Sequence, residues 1–363
     1  MMLKILDIYI IKKYISTFFF TMVLITMIAV SINHFEQVDK FVDSGLTGRQ
    51  IISQYYIHFI PWINGLLWPL FSLLAVIFFT SRMAKNSEII SILSAGVSYP
   101  RLLRPFLIAA SFLALLLWIG INYVIPNSNK YKNDFEVAYI KSSLKSSLSY
   151  NIHFFLSPDE KIYIRNYSSR DSTGRTFRLD RFKNDELVYT LKANKITFIG
   201  EPNKWQLENY EIRTFDGLNE KLIIANNEKK DTFFDFVPDD FTRYANQIEI
   251  MTTTALREFL EYERAKGLDS GKKYSIEINR RTSDPFTIII LTIIGVAVAS
   301  RKVRGGMGIH LAVGVVLGAS FVILSKFSTT FSANLSLSPG LGVWFPNIIF
   351  TIIAFYLVKK AQK

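Results

Sequence analysis

The sequence predicts a membrane α+β protein, with six transmembrane helices and an inserted antiparallel β-domain of the jellyroll-like kind. Three observations lead to this prediction. Half of the 363 residues are hydrophobic, and they cluster into runs long enough to cross a bilayer. Between residues 127 and 275 these runs give way to alternating apolar and polar side chains, which is typical of strands. The excess of Lys and Arg lies in short segments at the ends of the apolar runs.

The location of the charge predicts the topology. The net charge is +12, and residues 1–15, 81–104, 300–307 and 359–363 together hold 13 Lys and Arg but only two acids. The remaining chain is nearly neutral, so the excess indicates cytoplasmic segments and not a nucleic-acid-binding patch. We therefore expect a multi-pass membrane protein with both termini cytoplasmic and the β-domain on the far side of the membrane.

The first predicted domain, residues 1–126, contains three spans. Residues 1–15 resemble an interfacial helix, residues 34–49 form a polar loop on the far side, and Pro126 is expected to end the third span. The predicted spans are residues 16–33, 52–80 and 102–125.

The second predicted domain, residues 127–275, is the β-domain. Turn-forming residues separate its period-two stretches, and a helix over residues 251–265, stopped by Gly267, follows them. The predicted strands are residues 161–167, 176–182, 187–199, 205–215, 221–225 and 232–236.

The third predicted domain, residues 276–363, contains the last three spans. Ser283, Asp284 and Pro285 form a helix-start signature, because proline is favoured at the first helical position. Residues 301–306 form a basic cytoplasmic turn. The predicted spans are residues 286–299, 308–331 and 341–358.

A short polar interruption, residues 81–104, is the first candidate site. Ser87 is a good N-cap, Glu88 suits the positive end of a helix, and Gly96 is a natural stop. The helix over residues 87–95 is roughly 12 Å long, too short to cross a bilayer. Ile89, Ile90 and Leu93 are expected on one side of it. Such a helix either docks a soluble partner or lies on the lipid headgroups.

Two lysines are candidate contacts for an anionic lipid head. Lys326 is the one charge far from the cytoplasmic end of a predicted span, and an intramembrane charge is costly enough to suggest a function. It either extends to the outer interface or faces a cavity and meets a headgroup. Lys40, just beyond the first span, is either an ordinary loop lysine or another such contact.

The sequence offers little for catalysis. It contains no cysteine, its four histidines are scattered, and it has no nucleotide-binding, metal-binding or hydrolase motif. We expect no cofactor, no metal and no enzymatic activity. A membrane enzyme would need paired polar residues within spans, and these are absent.

The order of several short segments resembles the lipopolysaccharide-export permease family LptF/LptG, also called YjgP/YjgQ. The opening residues and the Gly342 to Pro346 stretch lean towards the LptG type. The segments are residues 6–10 (LDIYI), 86–89 (NSEI), 95–98 (AGVS), 124–127 (VIPN), 204–207 (KWQL), 280–285 (RRTSDP) and 341–347 (LGVWFPN).

The resemblance implies one permease subunit of an ABC-type exporter, powered by a separate dimeric ATPase, LptB-like, that docks on the cytoplasmic helix. It implies a location in the bacterial inner membrane, with the β-domain in the periplasm. It also implies a second six-span LptF/LptG-like permease, lipopolysaccharide as substrate, and a periplasmic bridge of LptC-like and LptA-like proteins. Glu88 would be the polar docking contact, and Glu88→Lys or Ile89→Asp would uncouple transport without unfolding the protein. The alternative is an envelope structural or signalling protein that translocates no substrate.

Overall fold

The computed structural model describes residues 4–140, 150–157, 159–168, 171–183, 186–200, 202–217, 219–238, 247–265, 271–301, 307–334 and 337–361. The chain divides into two compact units. The membrane unit comprises Met1–Phe135, Ile248–Thr254 and Lys272–Lys363, and the β unit comprises Glu136–Gln247 and Ala255–Gly271.

The described residues contain six helical segments long and apolar enough to cross a membrane. Three π-helical turns, Ile52–Tyr56, Gly120–Val124 and Glu136–Ile140, adjoin the helices. The helices are α1 Ile5–Asp43, α2 Gly48–Ile51, α3 Ile57–Lys85, α4 Glu88–Ser94, α5 Tyr99–Ile119, α6 Ile125–Phe135, α7 Gln247–Ile250, α8 Thr253–Ala265, α9 Gly271–Ala299, α10 Met307–Asn334 and α11 Pro339–Ala361.

A buried hydroxyl cluster joins three helices of the membrane unit. The Tyr14 hydroxyl of α1 lies 2.6 Å from Ser72 Oγ of α3 and 2.8 Å from Thr292 Oγ1 of α9. All three residues are fully buried. Because lipid offers no water to satisfy these groups, the cluster fixes the three helices relative to one another.

Glycines allow α10 to approach α3 closely. A Cβ added to Gly314 would lie 2.3 Å from Ile77 Cδ1, and one added to Gly318 would lie 3.1 Å from Leu70 Cδ1. Small residues are common where membrane helices pack, since they let the backbones come together.

The first helix differs from the sequence prediction. An interfacial helix, a separate span and a polar loop over residues 34–49 were expected, but α1 runs without a break from Ile5 to Asp43. Within residues 34–49 only residues 44–47 are non-helical, because polarity alone does not end a helix. Residues such as Glu36 and Lys40 are good helix formers. Their polar side chains keep a helix solvated where it continues beyond an apolar stretch.

Two prolines predicted to bound helices lie inside helical segments instead. Pro126 does not end the third span: the π-turn Gly120–Val124 precedes it, and α6 continues to Phe135. This wider turn accommodates a proline ring that would clash within a regular α-helix. Pro285 does not start the fourth span either, because α9 begins at Gly271 and includes it. Membrane helices tolerate internal prolines. Asn347 lies beside this part of α9, where its Nδ2 donates to Ser283 O at 3.1 Å.

The β unit contains one six-stranded antiparallel sheet in the order β1-β2-β3-β4-β5-β6. The membrane α+β class with an inserted, jellyroll-like antiparallel domain is therefore confirmed. Its buried face carries Trp205 and Phe177, and Trp205 Nε1 donates to Phe236 O at 3.1 Å. The strands are β1 Tyr150–Ser157, β2 Glu160–Ser168, β3 Thr173–Lys183, β4 Glu186–Gly200, β5 Lys204–Asp216 and β6 Asn219–Phe233.

Two strands differ from the prediction. The first strand, β1, was not expected at all. The two short strands predicted at residues 221–225 and 232–236 are a single strand, β6, that ends at Phe233. Between them the pairing with β5 shifts at a bulge where Asn209 and Asn227 both have positive φ, and the Asn227 amide donates to Asn209 Oδ1 at 2.7 Å. This bulge lets the strand continue through a polar stretch.

A charge ladder crosses the exposed face of the sheet. Glu208 on β5 lies between Lys229 Nζ at 2.9 Å and Lys195 Nζ at 3.5 Å. The hydrogen bond from Lys229, followed by the charges of both lysines, lowers the pKa of the Glu208 carboxyl below its ordinary value.

Some predicted features lie outside the described residues. They are Gly267 and residues 302–306 of the basic turn.

Candidate functional site

The short helix α4 connects the two long helices α3 and α5. Ser87 occupies the N-cap position but has φ 62°, and its side chain makes no capping hydrogen bond, unlike the prediction. Gly96, with φ 84°, ends the helix as predicted, because glycine adopts the left-handed conformation at little cost.

The apolar residues of α4 differ in their exposure. Ile89 is 2% exposed and belongs to the core cluster of the membrane unit, whereas Ile90 is 49% exposed. Leu93 is half-buried against that core. The difference follows from helix geometry, since successive residues are turned by about 100°. We call the exposed residues Ile90, Ser91 and Ser94 the α4 surface.

Glu88 at the start of α4 is joined to the first helix. Its Oε2 accepts a hydrogen bond from the Tyr9 hydroxyl at 3.3 Å, and its Oε1 accepts one from Asn86 Nδ2 at 3.2 Å. The carboxylate is therefore oriented beside the α4 surface.

A second connection between α1 and this region was missed by the sequence reasoning. Arg101 Nη1 and Nη2 donate to Asp7 Oδ1 and Oδ2, each at 2.7 Å. The Asp7 side chain is only 5% exposed and the Arg101 side chain 29%. The backbone amide of Lys4 also donates to Asp7, at 2.9 Å. Asp7 is one of only two acids in the basic segments, which was a usable signal, but no local pattern links residues so far apart in sequence.

A cavity of about 530 Å³ adjoins this ion pair. Lys4, Asp7, Arg101 and Arg104 contribute charges to its wall, and Gly96 is at its edge. The end of α4, the start of α5 and the start of α1 thus surround a single concave surface.

The membrane unit also contains a second cavity, of about 370 Å³, which we call the α9 cavity. Apolar residues of α3 and α10 line one part of it, including Leu66, Leu70 and Phe321. Its polar lining residues are Asn129, Glu249, Glu277, Arg280, Arg281, Asp284, Thr287, Ser325, Lys326 and Thr329. Concave sites that combine apolar walls with a few polar groups are typical of ligand sites.

Two arginines in this wall share one carboxylate. Arg280 Nε lies 2.9 Å from Glu277 Oε2, and Arg281 Nε lies 3.1 Å from Glu277 Oε1. Arg281 also donates to Thr253 Oγ1 at 3.0 Å and to Ile248 O at 3.2 Å. Its guanidinium thereby holds the short returning segment Ile248–Thr254 against α9.

The two candidate lysines are separate in the structure. Lys326 on α10 is exposed and lines the α9 cavity, which agrees with the cavity-facing alternative. Lys40 lies in the last turn of α1, where its Nζ donates to Gln37 Oε1 at 3.0 Å. It lines neither the α9 cavity nor the cavity beside the Asp7–Arg101 ion pair.

Comparisons with known proteins agree with this arrangement. The family described as lipopolysaccharide export system permease LptF/LptG matches residues 8–360 of the chain. The lipopolysaccharide export system permease protein LptG of Haemophilus influenzae is 18% identical over 380 residues, covering 99% of this chain and 100% of that protein. The match therefore extends across both structural units.

Proposed function

The chain belongs to the LptF/LptG family of lipopolysaccharide export permeases, and from this premise we propose how it works. It is a multi-pass membrane permease for lipopolysaccharide export. We propose that it acts as one subunit of an ABC-type exporter that extracts lipopolysaccharide from the inner membrane. A separate ATPase supplies the energy, and a periplasmic bridge receives the substrate.

The α4 surface supports the proposed docking of an LptB-like ATPase dimer. Ile90 is a large apolar side chain left exposed beside the oriented Glu88 carboxylate. Exposed apolar anchors next to a fixed charge are typical of protein interfaces. Ser87 and Gly96 set the limits of the helix, while Ile89 and Leu93 anchor it to the membrane unit. The basic residues around it favour a cytoplasmic location.

The burial of Ile89 changes the design of the docking test. Ile89→Asp would place a charge in the core, so we expect this variant to destabilise the protein instead of leaving its folding intact. Glu88→Lys and Ile90→Asp are better variants, with Ile199→Asp on an exposed site of β4 as the matched control. Affinity purification in detergent should recover the ATPase and a second six-span permease with the control. Recovery of the ATPase at unchanged levels with both α4 variants would refute the docking site.

We further propose Lys326, and secondarily Lys40, as contacts for the phosphates of lipopolysaccharide. The substrate has acyl chains that need an apolar surface and phosphates that need cations. The α9 cavity offers Leu66, Leu70 and Phe321 near the Lys326 ammonium. Lys326→Gln should reduce lipopolysaccharide binding by the purified protein, and the exposed Lys359→Gln should leave it unchanged.

The edge of the sheet supports the proposed transfer to LptC-like and LptA-like bridge proteins. Within the described sheet β6 pairs with β5 alone, and Leu222, Ile223 and Ile224 are exposed on it. A free strand edge with apolar side chains can accept a further strand.

The assignment of this subunit to the LptG type, with an LptF-like partner, remains a prediction that mass spectrometry of the purified complex would test.

The topology has a direct test, because the natural chain has no cysteine. An impermeant maleimide should label Asn226→Cys in β6 from the periplasm, and Ser91→Cys in α4 only after the inner membrane is disrupted. Labelling of both from one side would refute the proposed sidedness.

To test the alternative structural or signalling role, the chain would be depleted. Accumulation of lipopolysaccharide in the inner membrane supports transport, and an unchanged distribution of lipopolysaccharide supports the alternative.

A further inference from the structure

The charged groups lining the α9 cavity balance one another. Three carboxylates and three cations contribute to its wall. They are Glu249, Glu277 and Asp284, and Arg280, Arg281 and Lys326. A balanced set is expected in a membrane protein, because an uncompensated charge in an apolar environment is costly.

Four of these six groups have close partners. Glu277 binds both Arg280 and Arg281, and Glu249 Oε2 lies 3.4 Å from Asn129 Nδ2. Asp284 and Lys326 differ. Neither makes a hydrogen bond from its charged group, or an ion pair within 4 Å, to any residue that the structure describes.

The electrostatic surroundings of Asp284 indicate its partner. Its neighbours in the wall of the α9 cavity include two cations from different helices, Arg280 of α9 and Lys326 of α10. Arg280 already binds Glu277 through two nitrogens, so Lys326 is the cation whose hydrogen bonds remain unused. A lysine side chain is long and flexible enough to approach a carboxylate across a small cavity.

We propose that Asp284 is the resting counter-ion of Lys326, and that an anionic lipid headgroup entering the α9 cavity displaces it. This inference rests on the proposed function and assigns a positioning role to Asp284. With the cavity empty, the Asp284 carboxylate keeps the Lys326 ammonium directed into it. A phosphate, with more acceptor oxygens and more charge, competes successfully for the ammonium. When the substrate leaves, Asp284 takes the ammonium back and lowers the cost of release.

The pairing can be tested without any substrate. Asp284→Asn, Lys326→Gln and the double variant would be made in the full chain, purified with whatever subunits accompany it. Each single change should lower the apparent Tm in detergent, and the double variant should lose less than the sum of the two losses. Asp134→Asn combined with Lys359→Gln, both on exposed residues, is the matched control and should be additive. Additive losses for the Asp284 and Lys326 changes would overturn the pairing.

Substrate binding tests the displacement. In phosphatidylcholine nanodiscs, Asp284→Asn should bind lipopolysaccharide roughly tenfold more tightly, since a competing anion is removed. The gain should shrink at high salt, which a purely structural effect would not produce. Weaker binding by Asp284→Asn would overturn the inference, because the carboxylate would then be contacting the substrate itself. Coupled stability losses with no lipopolysaccharide binding by the natural protein would support the pairing and refute the proposed function.

Discussion

Replacing the partners of the Asp7–Arg101 ion pair should loosen the connection between α1 and the region around α4. The pair joins the first turn of α1 to the first turn of α5 through two hydrogen bonds of 2.7 Å. The informative variants are Asp7→Asn, Arg101→Gln and the two combined. Lys85→Gln, at an exposed position of the same basic region, is the control.

The magnitudes follow from burial. With Arg101 removed, the nearly buried Asp7 carboxylate keeps only the Lys4 amide, so Arg101→Gln should cost about 3 kcal/mol of the free energy of unfolding. Asp7→Asn keeps a neutral oxygen for Lys4 and leaves a partly exposed guanidinium, which water solvates. Its cost should be smaller, about 1–2 kcal/mol.

The assay is reversible unfolding of the purified chain in mixed micelles, following the change in helical signal. The double variant should cost less than the two single variants together, by about 1–2 kcal/mol, because it leaves no unpaired buried charge. The Lys85→Gln control should lie within about 0.5 kcal/mol of the natural protein. Strict additivity of the Asp7 and Arg101 costs would refute the claim that their contact carries the energy.

Three further predictions concern packing and charge. Tyr14→Phe removes the hydroxyl between Ser72 and Thr292 and should cost about 1 kcal/mol in the same unfolding assay, whereas a cost near zero would show that the cluster is not coupled. Gly318→Leu should cost about 1–3 kcal/mol, because even its Cβ would lie 3.1 Å from a leucine methyl group of α3, and an unchanged stability would contradict the close packing. Since its folded pKa is depressed, Glu208 stabilises the folded state above its ordinary pKa of 4.5, and this contribution is lost as pH falls through the lower, folded value. Glu208→Gln should therefore remove part of the pH dependence of thermal unfolding below about pH 4.5, and an unaltered pH profile would contradict it.

The architecture was predictable because long apolar runs and period-two alternation are strong signals. The six spans and the inserted β-domain follow from them. The helix boundaries were not predictable, because Pro126 and Pro285 both lie inside helical segments of the membrane unit. The π-turn that precedes Pro126 leaves no local pattern in the sequence. The β6 strand was divided for a similar reason: its polar centre continues through a bulge that pairing with β5 supports.

The candidate sites were predictable to different degrees. The limits of α4 could be predicted from Ser87 and Gly96, because helix-terminating residues act locally. The exposure of Ile90, the burial of Ile89 and the hydrogen bond between Glu88 and Tyr9 could not be predicted, because they depend on tertiary packing. Asp284 was assigned to a helix start, and its place in the wall of the α9 cavity depends on how α9 and α10 are arranged.

The hydrogen bonds from Arg281 to the returning segment limit which residues can be deleted from the protein. Ile248–Thr254 belongs to the membrane unit although residues of the β unit flank it on both sides. Deleting residues 136–271 as one block would remove Thr253 Oγ1 and Ile248 O, which accept hydrogen bonds from Nη1 and Nη2 of Arg281. The deletion would also remove Thr253 as the hydrogen-bond partner of Asn122. A shortened permease would therefore have to retain these seven residues in order to stay folded.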